Sequence, residues 1–174
     1  MVLVGELTRW GSRRAEVDAL LPAADRALEW ITEFGDKDGD GYVEYQRASD
    51  RGLHNQGWKD SWDSMRRMDG ALAPTPIALC EVQGYVYGAL IARSHCATEA
   101  GDTELASSLR SRASELKRRF NEDFWVDTDD GGYFAMGLDR DKRKIDGIGS
   151  NMAHCLWTGI VDDDKVPAAE QDVA

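Results

Sequence analysis

The sequence predicts an all-α fold of consecutive helical hairpins with long functional loops at one end. Three observations lead there. Apolar residues recur at steps of three and four through most of the regular stretches, strand-like sequence is confined to Tyr133-Phe134-Ala135-Met136, and Pro, Gly, Asp and Ser stand where helices begin and end. A length of 174 residues, 42% apolar and 30% charged, suits one soluble domain or a piece of one.

The elements follow in order. Met1 to Trp10 reads as the last part of a helix, with Val2, Leu3 and Leu7 apolar and Gly11 as terminator. Pro22 fits the first turn of a second helix carrying Ala24, Leu28 and Ile31 on one face, and Gly35 is expected to stop it as a left-handed cap. From Asp36 to Ala73 the helical period disappears, and loops of that length inside a domain usually carry function. Thr75-Pro76 reads as an N-cap and first helical position, opening a helix with Ile77, Cys80, Gly84, Tyr87, Leu90 and Ile91 along one stripe and ending near Ala100-Gly101. Asp102 caps the next, in which Leu105, Leu109, Ala113, Leu116, Phe120 and Phe124 share a face. Loops at Asp127 to Gly132 and Asp146 to Gly149 flank the one short strand. Ser150 or Asn151 then caps a last helix through Ile160, and an acidic tail follows from residue 163.

Bulk charge narrows the partners. A net charge of −11 argues against nucleic acid or an anionic membrane surface, which would need a basic face. No run approaches the roughly 20 apolar residues of a membrane span, and Met1 to Glu6 turns acidic too soon for a signal peptide, so a cytoplasmic protein is expected. Cys80, Cys96 and Cys155 lack metal or disulfide spacing and read as buried thiols. His54, His95 and His154 show no metal-ligand spacing, no cofactor motif is present, and neither a metal nor a cofactor is expected.

Chemistry concentrates in Gly52 to Asp63, where two indoles and two carboxylates share twelve positions. Indole faces stack on the C–H faces of sugar rings, and a carboxyl beside apolar rings is pushed towards the protonated form that a general acid needs. Asp60, close after Trp58, is the candidate proton donor, while Asp63 is expected to cap a turn or hold a cation. Asp36-Lys37-Asp38-Gly39-Asp40-Gly41 has the spacing of a calcium loop, but Arg47 stands twelfth, where a bidentate Glu belongs. A Gly- and Asp-rich turn is the simpler reading, and Tyr42 to Tyr45, with Glu44, could line a sugar pocket. Glu81 and Gln83 are polar positions on the helix opened by Pro76. They either complement its dipole or face a pocket at its mouth. Hydrolysis by two carboxylates is the enzymatic chemistry this composition favours.

The segments Leu20 to Trp30, Asp38 to Tyr45, Asn55 to Ser61, Pro76 to Tyr85 and Ser150 to His154 resemble the amylo-α-1,6-glucosidase and glycogen-debranching-like glycoside hydrolases and the related mannosylglycerate hydrolase-like group. The resemblance implies an (α/α)6 barrel of six helical hairpins, and 174 residues would build only part of such a toroid, over residues 1–162. It implies that Asp60 is the general acid. It also implies that Trp58, Glu81, Gln83 and Tyr87 line the sugar subsite, with Glu44 and Gln56 of the matched segments joining that set. The substrate is then an α-glucoside or oligosaccharide. In that family the base that activates water for inversion follows later in the chain, so this sequence is expected to be a piece of a longer glycosidase. The alternative is a non-catalytic helical carbohydrate-binding module.

Overall fold

Asp102 starts the longest helix by accepting a hydrogen bond from the Leu105 amide at 3.0 Å. This computed structural model describes residues 1–11, 14–129 and 131–166. In chain order its helices are α1 (Val2–Arg9), α2 (Arg14–Asp18), α3 (Leu21–Trp30), α4 (Cys80–Glu99), α5 (Thr103–Asp123) and α6 (Ala153–Thr158). Its strands are β1 (Ala78–Leu79), β2 (Trp125–Thr128), β3 (Gly131–Phe134) and β4 (Gly137–Leu138). No helix among the described residues is long and apolar enough to cross a membrane. Of the acidic tail, residues 167–174 lie outside the described residues.

The apolar face of α5 behaves as its spacing requires. Leu109, Ala113, Leu116 and Phe120 are buried along it, with Phe124 just beyond its end. Phe120 stacks on Phe124 at 4.8 Å and on Phe134 at 5.0 Å, and Tyr42 meets Phe124 edge-on at 5.3 Å. Each such ring contributes about 1.5–3 kcal/mol by leaving water. The helix α4 packs on α1, α5 and α6 together. It is therefore buried on several sides, with Cys80, Ala89, Leu90, Ala92 and Cys96 in the core beside the polar Glu81, Gln83 and Arg93.

The all-α expectation is wrong: among the described residues four strands form two small antiparallel sheets, so the molecule mixes α and β structure. In one, β2 and β3 make a hairpin running from Trp125↔Phe134 to Thr128↔Gly131. In the other, β1 pairs with β4 through Ala78↔Leu138 and Leu79↔Gly137. That second ladder also moves a helix start. The sequence places it at Thr75-Pro76, but this peptide is cis, Ile77 bridges Tyr45, and β1 intervenes, so α4 begins only at Cys80, whose amide donates to the Met136 carbonyl.

Two further boundaries differ. α3 does not stop at a left-handed glycine; it runs on into a π-helical turn, Ile31–Gly35, and a Cβ on Gly35 would stand 3.3 Å from Val43 Cγ1. Close approach, rather than turn handedness, suits glycine there. At α6 neither Ser150 nor Asn151 caps with its side chain, and the helix starts at Ala153 because the Asn151 amide group is turned inward to Glu81. The long region from Asp36 to Ala73 is free of helix and strand, as its composition suggests, apart from bridges at Tyr45 and Arg66.

Candidate active site

Residues 55–64 fold on themselves around two small polar side chains. Asn55, buried, accepts from the Tyr45 hydroxyl at 2.7 Å and donates to the Ser61 carbonyl and to Ser64 Oγ. Ser64 Oγ in turn lies 3.0 Å from the Lys59 carbonyl and 2.8 Å from that of Ser61. Asp60 thus stands between two anchored carbonyls. It is exposed and makes no hydrogen bond or ion pair among the described residues. Asp63 takes the other role foreseen for it and pairs with Arg66 at 3.5 Å.

The loop lies on the start of α4. Glu81 is buried, and its Oε1 accepts from the Trp58 amide at 3.3 Å and from Asn151 Nδ2 at 2.9 Å, while the Cys80 thiol donates to Oε2. One carboxylate therefore joins the loop, α4 and the segment before α6. Gly57 permits that approach: a Cβ there would overlap Leu79 Cδ1 and come within 3.0 Å of Glu81 Oε1.

Above this anchor is an aromatic surface. Trp58 is 63% exposed, its indole N–H donates to Ser150 Oγ at 3.2 Å, and its ring lies 4.8 Å from that of His154. The Tyr85 hydroxyl meets His154 Nδ1 at 2.8 Å, and the Tyr85 ring lies 5.8 Å from Trp157. Burial, and then the negative charge of Glu81, push the Tyr85 phenol above its usual range, so it stands neutral beside the imidazole. Sequence pattern assigns no site role to His154, Tyr85, Asn151 or Ser150. The i, i+4 relation of Glu81 and Tyr85 was the available signal, because it places both on one face of α4.

That same helical geometry separates the other expected residues. Gln83 is two positions from both Glu81 and Tyr85, on another side of α4, and is wholly buried. Its amide accepts from the Val43 N–H at 3.0 Å and donates to the carbonyls of Val43 and Leu79. It clamps backbone and has no free polar atom for a sugar hydroxyl. Tyr87 lies beside Gly159, with the Lys117 ammonium 6.0 Å from its ring centre. Glu44 and Gln56 do border a common cavity of about 510 Å³ under Trp30, Phe34 and Tyr45. The Glu44 carboxylate is nevertheless bonded to Lys142 Nζ at 2.5 Å and to the Lys37 amide. Gln56 remains exposed.

The structure thus lays the Trp58 backbone on Glu81, with Asp60 two residues on in the same loop, while the side chains of Gln83 and Glu44 are bonded to backbone and to Lys142 and Tyr87 lies beside Gly159. No curated protein matches the chain. A family model described as the mannosylglycerate hydrolase MGH1-like glycoside hydrolase domain matches residues 4–174, in agreement with the resemblance read from the sequence segments. By that match over almost its whole length, the chain belongs to the MGH1-like glycoside hydrolase family, with a glycosidase-type function and a carbohydrate substrate.

Proposed function

We propose that Asp60 is the proton donor of an inverting glycosidase acting on α-glucosidic bonds, as in amylo-α-1,6-glucosidases. The observation that carries this reading is a free, exposed carboxyl two residues from an exposed indole, on a loop whose backbone is fixed by Asn55, Ser64 and Glu81. A sugar stacked on Trp58 excludes water from the loop, the condition in which a carboxylic acid holds its proton until the glycosidic oxygen takes it. Gln56 borders the adjoining cavity and is free to bond a hydroxyl. Inversion needs a second carboxylate about 6.5–9.5 Å from the first, with water between them. Asp63 is paired with Arg66 and Glu81 accepts from Asn151, so neither is assigned that role, and the proposal takes the base from a carboxylate outside this chain.

The test is Asp60→Asn in the complete enzyme, assayed on an α-glucoside and on α-glucosyl fluoride, whose leaving group needs no proton. The expected result is a fall in kcat of roughly 10²–10⁴ on the glucoside and a much smaller one on the fluoride. Unchanged turnover, or equal losses on both, would overturn the assignment. A second reading, sugar binding without turnover, draws on the absence of any bond that fixes the Asp60 carboxyl. It requires the unaltered protein to bind oligosaccharide through Trp58 and release no product.

A further inference from the structure

Trp58 and Trp157 are 63% and 59% exposed, and a line of ring contacts joins them. Trp58 lies 4.8 Å from His154, His154 6.1 Å from Tyr85, and Tyr85 5.8 Å from Trp157. Trp10 and Trp62 are no less exposed, yet neither meets another ring among the described residues. A contiguous apolar surface edged by polar groups marks a binding site, whereas single exposed rings are ordinary.

The strip exists because α6 lies close on α4. Gly84 permits the approach, since a Cβ there would stand 3.0 Å from Thr158 Oγ1. His154 and Trp157 are three apart on α6 and share a side, and Tyr85 of α4 stands between them. The polar groups along the strip retain free donors. Burial, and then the Glu81 charge, keep the proton on the Tyr85 phenol, which faces His154 Nδ1 at 2.8 Å. Where Nδ1 accepts, a neutral imidazole carries its proton on Nε2, and that nitrogen has no partner among the described residues. Ser150 is exposed and uses its oxygen to accept from the Trp58 indole, which leaves its own hydroxyl proton to donate.

We propose that Trp157, Tyr85 and the Nε2–H of His154 form a second saccharide subsite beside the one on Trp58, so that the substrate is a neutral oligosaccharide held by at least two adjacent hexose rings. Ring faces alternating with free donors match such a chain, whose rings present C–H faces edged by hydroxyls. An apolar helix laid on the same strip would leave the His154 and Ser150 donors without acceptors, which costs about 1–3 kcal/mol for each group buried unpaired. A net charge of −11 disfavours an anionic polysaccharide. The inference rests on the reading of Trp58 and Asp60 as the place of glycoside cleavage and deepens it from a single glycoside to a chain.

The experiment titrates the full chain by calorimetry with two matched pairs of ligands, methyl α-glucoside against maltotriose and methyl α-mannoside against α-mannotriose. In one pair the trisaccharide should bind roughly tenfold tighter than the methyl glycoside. Trp157→Ala should bring the members of that pair to within about twofold of one another, and Trp157→Phe, which keeps a ring, should restore most of the difference. Thermal unfolding checks that both variants are folded, as the exposure of this side chain leads one to expect. A parent protein that binds the trisaccharide no tighter, or binds none of the four ligands, overturns the proposal, as does a Trp157→Ala protein that keeps the preference. So does a parent dimer that Trp157→Ala turns into a monomer in sedimentation, because a second copy then covers the indole. The preference should persist in Asp60→Asn. Failure of Asp60 as proton donor, seen as unchanged turnover, therefore leaves the length preference in place, whereas failure of the subsite abolishes the preference and leaves the turnover comparison as it was.

Discussion

Glu81 shows how much one side chain can carry. It is a buried carboxylate whose partners come from three separate stretches, Trp58, Cys80 and Asn151. Leaving a buried donor unpaired costs about 1–3 kcal/mol, whereas replacing an acceptor by another of the same shape costs little. Glu81→Ala should therefore destabilise the fold by about 2–4 kcal/mol in urea unfolding. Glu81→Gln, whose carbonyl can still accept from the Trp58 amide and Asn151, should lose less than about 1 kcal/mol. Equal losses would show that Glu81 acts by filling space. Asp60 and Trp58 were legible as a pair because they are neighbours in sequence and of unusual composition. Their supports were not: His154 and Ser150 meet Trp58 across more than ninety positions, a relation that no local pattern encodes.

Among the elements, those specified locally were readable. α5 follows from six apolar residues at steps of three and four with a capping Asp, and the end of α4 from Ala100-Gly101. The β1–β4 ladder was not, because strands of two residues are too short to show a period of two and their pairing joins positions about sixty apart. α4 misleads for another reason. Neighbours on several sides bury its polar residues too, so a single apolar stripe describes it poorly. The segment after α6 docks on α5 through a few side chains, among them Lys117, whose ammonium donates to the carbonyls of Gly159 and Val161. Asn121, buried on α5, donates to the carbonyls of Lys117 and Ile160 and accepts from the Asp162 amide, stapling the segment after α6 to α5. Asn121→Leu should speed amide hydrogen exchange at residues 160–165 by at least tenfold, while the middle of α5 keeps its protection. Uniform acceleration along α5 would mean that the two elements open together.

At the scale of the whole molecule, charge sets the conditions under which the fold holds. An excess of acids, 32 against 21 bases, makes the compact state repel itself at neutral pH, so mild acidification relieves strain between like charges. Specific pairs act the other way. The hydrogen bond from Lys142 holds the Asp38 carboxyl below its ordinary 3.8, and an acid depressed on folding contributes stability that is whole above that value and is lost as pH falls through the lower one. At the alkaline end, burial first and then the Asp123 carboxylate push the Tyr42 phenol well above 10, and burial followed by the Glu81 charge does the same for Tyr45. A group raised on folding contributes below its unfolded value and loses that contribution as pH climbs beyond it. The melting temperature should accordingly be level between about pH 5 and 9, falling below about pH 4 and above about pH 10. Tyr42→Phe removes one of the raised phenols, and with it the hydroxyl that donates to Asp123 at 2.7 Å. It should lower the plateau while making the alkaline limb shallower. Calorimetry across that range reads both effects, and a decline beginning near neutrality in the parent protein would show that the raised phenols do not set the alkaline limb.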